Sequence, residues 1–193
     1  MRATPDLGKR IVVIGTAGSG KTTLAQNLVQ VLGVSHVELD SLYWGPNWVP
    51  LPVEAFRRSV TEALRGDAWV TDGNYSKARD IIWGRADTVV WLDYSFPVII
   101  RRLVGRTLRR LVTQEVLWND NRESFHNTFL SRNSLFLWVI QTYGKYRKRF
   151  PALFAQPEYA HLSVIHLKSP REARDWLETL KPSDRPEVRS RAF

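Results

Sequence analysis

Apolar residues gather into five short runs along this chain: RIVVIG at 10–15, SHVELD at 35–40, AWVTDG at 68–73, DTVVWLD at 87–93 and LSVIHL at 162–167. Runs of this length, rich in β-branched and aromatic residues, predict strands buried on both faces. Between them the apolar period lengthens to that of a helix. Leu24, Leu28, Val31 and Leu32 share a face over 21–32, and Phe56, Val60 and Leu64 share one over 52–64, a segment opened by Pro52. Val98, Ile99, Leu103, Leu108 and Leu111 repeat the pattern over 96–112, and a last helix is predicted over 171–180. Strand and helix in alternation require right-handed crossovers, and therefore a parallel sheet covered on both sides.

One stretch breaks the rhythm. From 113 to 150 the pattern stays helical, rich in aromatic and basic residues, with no strand. It is longer than an ordinary crossover. It reads either as a helical lid inserted at the sheet's edge or as additional core. The expected organisation is one domain over 1–193: core 10–112 and 151–180, lid about 113–150, and polar, proline-containing tails at 1–9 and 181–193 expected to be mobile.

Composition narrows the function classes. The 193 residues suit one core, and 44% hydrophobic with 24% charged residues is ordinary globular usage. No apolar run approaches the roughly 20 residues of a membrane span, and the N-terminus lacks a secretory signal, so a cytoplasmic protein without membrane attachment is expected. With no cysteine there is no disulfide framework or thiolate metal site, and the four histidines show no ligand spacing. The formal charge of +9 attracts polyanions, whether nucleic acid or nucleotide.

The chemistry is announced by GTAGSGKTT at 15–23, which follows the first strand and opens the first helix. Gly15, Gly20, Lys21 and Thr22 satisfy the phosphate-loop pattern G-x-x-x-x-G-K-[ST]. Backbone amides of Gly15, Thr16, Ala17, Gly18, Ser19 and Gly20 are expected to turn around an anion at the helix N-terminus, with Thr23 closing the set. Lys21 would reach the terminal phosphates and Thr22 would supply a magnesium ligand. A GTPase would add a switch threonine, an Asp-x-x-Gly and an Asn-Lys-x-Asp; none is present. A small kinase is the better candidate.

Carboxylates at strand ends supply the remaining parts. In HVELDSLYW, Glu38 and Asp40 lie two apart and, on a strand, would face the ligand crevice together. Such a carboxylate can take the proton of an acceptor hydroxyl, the role expected of Asp40 with Glu38 assisting. Asp72 in WVTDGNY is the second magnesium partner, with Gly73 leaving room for substrate and Asn74 beside it. Asp93 is read as a helix cap without chemistry. Arg102 and Arg106 lie four apart on one helical face and would clamp the phosphates, with Arg122 and Arg132 as candidates from the lid. The same stripe also reads as a solvated face. Trp44, Trp48 and Trp83 offer either stacking surfaces or plain packing. The cluster KYRKR at 145–149 reads as an exposed helix end.

Together, the phosphate loop, ELDSLYW, WVTDGNY, ADTVVWLD and LWNDNRESF resemble the small bacterial adenylate-kinase-related P-loop proteins often labelled DNA-topology-modulation proteins, over about 10–180. The resemblance implies an α/β P-loop NTPase fold of the nucleoside-monophosphate-kinase type: three layers, a five-stranded parallel sheet ordered 2-3-1-4-5, and a helical lid. DGNYS is similar to the DGFPR of adenylate kinases, with Asn74 and Tyr75 replacing Phe-Pro. RLVGR resembles their RIVGR, which implies that Arg102 and Arg106 act at the nucleotide and transferring phosphate. The acidic pair resembles that of shikimate- and gluconate-type kinases, where it serves magnesium and the acceptor hydroxyl. LKSPREA at 167–173 would hold the base. The expected function is an ATP- and Mg2+-dependent transfer of the γ-phosphate to a small molecule, a nucleotide or hydroxylated metabolite, by a monomer or homodimer; Glu38, Asp40, Trp44, Gly73, Asn74 and Arg122 would meet the acceptor. The alternative is a nucleotide-dependent nucleic-acid-binding or regulatory ATPase.

Overall fold

The computed structural model describes residues 7–121 and 135–181. Its sheet consists of β1 (Arg10–Gly15), β2 (Ser35–Glu38), β3 (Trp69–Asp72), β4 (Thr88–Leu92) and β5 (Ser163–Leu167). All neighbours are parallel and the order is β2-β3-β1-β4-β5, as expected. β1 is central, which explains its uninterrupted apolar run: each side chain from Ile11 to Ile14 meets a covering layer.

The two layers are distinct. Ile11 and Val13 pack with Leu24, Ala25 and Leu28 of α1 (Lys21–Leu32), Ile99 and Leu103 of α5 (Phe96–Thr113) and Leu177 of α7 (Pro170–Leu180). Val12 and Ile14 pack with Phe56 and Val60 of α3 (Val53–Ala63), Trp83 of α4 (Arg79–Arg85) and Phe150 of α6 (Leu135–Phe154). Burying a large apolar side chain contributes about 1.5–3 kcal/mol, so these opposed layers hold the strand tips in place. Leu108, expected on the buried face of α5, is 52% exposed; Thr107 is buried instead. Trp83 lies on α4 and is buried in the core.

The lid expected over 113–150 is only in part a separate feature. α6 runs through Pro151 to Phe154 as one helix, with Val139 and Phe150 buried and Tyr146 stacked on Phe150. The basic cluster at 145–149 therefore lies inside a packed helix and is not a free helix end. Arg147 forms an ion pair of 2.6 Å with Asp93, whose other oxygen lies 3.0 Å from His166. Asp93 is thus a pin between sheet and α6, while Ser95 occupies the cap position of α5. Residues 122–134, including Arg122 and Arg132, lie outside the described residues.

Residues 7–9, expected to belong to a mobile N-terminal tail, are held against the core. Leu7 is buried, its carbonyl accepts from Thr88, and Asp87 ties down Lys9 and Arg10. One Asp87 oxygen accepts the N–H groups of Lys9 and Arg10, each at 2.9 Å, and the other accepts from the Arg10 guanidinium at 2.6 Å. The guanidinium bond, with the two amides, holds the Asp87 carboxyl below its ordinary pKa. A depressed pKa means that this stabilisation is complete above the unfolded value and is lost as pH falls through the folded one. Asp87→Asn should cost about 1–2 kcal/mol at pH 7. The gap to the wild type should shrink below roughly pH 4, as read by urea denaturation at both pH values.

Candidate active site

The phosphate loop follows β1 directly. Gly15, Gly18 and Gly20 have φ of 150°, 85° and 91°, in the region that side chains disfavour. A Cβ on Gly15 would lie 2.6 Å from the Leu92 carbonyl, so the loop passes too close to β4 for any side chain there. The Ser19 amide donates to the Thr16 carbonyl, and both residues are buried, while Ala17 is half-buried. Thr23 points to solvent.

Lys21 extends back over the loop, its Nζ 3.4 Å from the Thr16 carbonyl. Burial lowers its pKa; Asp40 and Asp72 oppose that shift, and Arg106 adds to it. The structure therefore gathers Lys21, Asp40, Asp72 and Arg106 into one electrostatic unit. Thr22 donates its hydroxyl to Asp72 Oδ2 at 2.7 Å. Asp72 is 4% exposed at the tip of β3, and its Oδ1 lies 2.9 Å from His36 Nε2. The bond to Asp72 raises the pKa of His36. A hydroxyl and a carboxylate at the mouth of a phosphate loop are the hard oxygen donors that suit Mg2+.

The second strand departs from expectation. It ends at Glu38, and Leu39 opens the short helix α2 (Leu39–Tyr43). Glu38 and Asp40 thus do not share a strand face: Leu39 is fully buried and turns the chain. Asp40 lands in the first turn of α2 and accepts a short hydrogen bond from the Tyr75 hydroxyl. Burial raises the pKa of Asp40, against the opposing effects of Tyr75 and Lys21. Burial also raises those of Tyr75 and Glu38. Glu38 Oε2 accepts from the Trp118 indole at 2.9 Å.

Gly73 and Asn74, expected to meet substrate, are both engaged in local structure. Gly73 has φ 140°, and a Cβ there would come within 3.2 Å of Leu39 and 3.1 Å of the Tyr75 ring, so no side chain fits there without displacing them. Asn74 accepts from the Gly15 amide at 3.1 Å and donates to the Gly15 carbonyl at 2.7 Å. Its amide side chain mimics a strand, continuing the β1–β3 pairing one step past Val13 and Asp72.

Residues 114–121 form a strap across the far wall. Asn121, 4% exposed, accepts from the Trp48 amide and donates to the Gly45 carbonyl, at 2.8 and 2.9 Å; Asn119 donates to the Trp44 carbonyl. The rings of Trp44, Trp48 and Trp118 meet edge to face. They are half-exposed beside Glu38 and give the site an aromatic wall.

The arginines divide. Arg106 carries its charge toward Lys21 and Asp40. Arg102 donates to the Ser19 carbonyl at 2.9 Å and lies over the Tyr94 ring, so it braces the loop from outside. Arg109 and Arg110 pair with Glu115. At the proposed base site, Ser169 and Glu172 form a capping box that opens α7. His36, Tyr75, Trp118 and Asn121 are the residues that the sequence reading missed.

This arrangement of loop, sheet order and strand-tip carboxylates defines the class: a P-loop protein of the nucleoside-monophosphate-kinase-like fold. No protein-family model matches the chain. It is 29% identical over 139 residues to a shikimate kinase of Synechococcus elongatus, covering 61% of this chain and 73% of that one. Among solved structures, a shikimate kinase from Acinetobacter baumannii in complex with shikimate superposes with a TM-score of 0.53 at 18% identity, covering 93% of each chain. A gluconokinase from Sinorhizobium meliloti gives 0.50 at 19%, covering 90% and 94%. The relatives are thus small P-loop kinases.

Removing the Asn74 side chain leaves both backbone groups of Gly15 without their partner. Asn74→Ala should lower stability by about 1–3 kcal/mol and weaken ADP binding as well, read by thermal unfolding and by calorimetric titration.

Proposed function

We propose that this protein is an ATP-dependent kinase that transfers the γ-phosphate to a hydroxyl of a small metabolite. The observation that carries this reading is Asp40, a half-buried carboxylate set against Lys21 and held by Tyr75 at the mouth of the phosphate loop. A carboxylate at that position can orient an acceptor hydroxyl and take its proton, as phosphoryl transfer to an alcohol requires. The relatives named shikimate kinase and gluconokinase act, by name, on hydroxylated metabolites, and support the same class of acceptor here.

In the proposed reaction, loop amides of residues 15–20 hold the β- and γ-phosphates at the positive end of α1. Thr22 and Asp72 would hold Mg2+, which would supply neutralisation of the phosphate charge. The acceptor oxygen attacks phosphorus, the bond from phosphorus to the ADP oxygen breaks, and the acceptor proton passes to Asp40. Lys21 and Arg106 face the charge that spreads over the equatorial oxygens. Glu38, fixed by Trp118, orients the acceptor against the wall of Trp44 and Trp48. Arg102 holds the loop's shape. Of the basic cluster that a nucleic-acid role would use, Arg147 is committed to Asp93.

Incubation with magnesium, ATP labelled at the γ-phosphate and a panel of polyols, sugar acids and nucleoside monophosphates tests the reading. One labelled acceptor is expected, and Lys21→Ala should reduce its formation at least 100-fold. Label found only as inorganic phosphate refutes the kinase assignment.

Tyr75 gives a pH test. Asp40 must be ionised to accept a proton, so activity falls as pH drops through its raised pKa. The Tyr75 bond favours the ionised form. Tyr75→Phe should therefore move the acidic limb of the kcat/KM profile to higher pH.

A further inference from the structure

The mechanism above uses Asp72 but leaves unexplained what aims it. A carboxylate has two oxygens, and in a 4% exposed setting both need partners. Oδ2 takes the Thr22 hydroxyl at 2.7 Å; Oδ1 takes His36 Nε2 at 2.9 Å. His36 lies on the edge strand β2, two residues before Glu38, and pairs in register with Val70, two residues before Asp72. Its ring reaches forward across the ladder to the strand tip. Because the ionised carboxylate only accepts, His36 donates from Nε2, which sets both its tautomer and the rotation of the carboxylate about its own axis.

The chain thus runs His36 to Asp72 to Thr22, from strand to strand to the helix that carries the phosphate loop. We propose that His36 is a positioning residue: its Nε2–H fixes the rotamer of Asp72, so that Oδ2 stays on Thr22 and the oxygen donors remain set for a divalent cation on the nucleotide. The inference rests on the kinase reading for the identity of that cation and nucleotide. It does not rest on turnover. Without His36, Asp72 is free to rotate away from Thr22, or to recruit water to Oδ1, and in either case the donor geometry loosens. The part is not a sheet requirement, since the β2–β3 ladder is carried by backbone bonds and Thr71 also donates to the Val37 carbonyl at 2.6 Å.

The test is Mn2+ binding in the presence of ADP, followed by electron paramagnetic resonance, for wild type, His36→Ala and His36→Gln, with thermal unfolding alongside. Glutamine places an amide donor at similar reach. The alanine variant should bind Mn2+ roughly 10- to 100-fold more weakly, and glutamine should recover most of the loss. A merely structural histidine would lower the melting temperature in both variants and leave Mn2+ affinity alone. If the alanine variant does not fold, His36→Asn, too short to reach Asp72, replaces it in the comparison with glutamine. Wild-type Mn2+ affinity in the alanine or asparagine variant, or no recovery with glutamine, overturns the proposal. Failure of the wild type itself to bind Mn2+ with ADP refutes the nucleotide-kinase reading instead.

Discussion

A half-buried ammonium, that of Lys21, sits at the mouth of the phosphate loop. Partial burial disfavours the charge on Lys21, and the carboxylates of Asp40, in the first turn of α2, and Asp72, at the tip of β3, oppose that cost. Neither acid is near Lys21 in sequence, so the arrangement exists only because β3 lies between β2 and β1 in a parallel sheet. A phosphate entering the loop brings a stronger counter-charge to the same ammonium. In the proposed reaction Asp40 and Asp72 would then be released from balancing it, for an acceptor proton and for a cation. Structural charge balance and chemistry thus use the same three side chains.

Holding those tips in register requires bonds beyond the strand ladder. Asn74 supplies two of them by pairing with both backbone groups of Gly15. Tyr75, the next residue, reaches to Asp40, so one tight turn after β3 fixes the loop on one side and the acceptor carboxylate on the other. Asn121 does the corresponding work for the aromatic wall, tying the strap to the loop between α2 and α3. Each is a polar side chain in the place of a backbone partner, and each fixes geometry where the sheet has run out.

The sequence makes the sheet legible because a parallel sheet buries its strands on both sides and writes them as apolar runs. The phosphate loop is legible because its glycines are forced by close approach, as Gly15 against β4 illustrates. What escaped is long-range and polar. HVELD reads as strand to its end, yet Leu39 drives the chain into a helix by its burial, and a local pattern cannot weigh that gain. Asn74 sits after a strand, where ligands bind, and its pairing with Gly15 spans 59 residues. His36 carries no ligand spacing because its partner is a single carboxylate on a neighbouring strand.

The account stands or falls on Asp40 as the acceptor-side base, distinct from the nucleotide site. The direct measurement is single-turnover phosphoryl transfer by Asp40→Asn, at saturating ATP and magnesium, on the acceptor that the wild type labels. Parallel titration with ADP should give an affinity close to that of the wild type, while transfer falls roughly 100- to 10,000-fold. Transfer at the wild-type rate with nucleotide binding intact would contradict the account, because the proton would then leave by a route that does not involve Asp40.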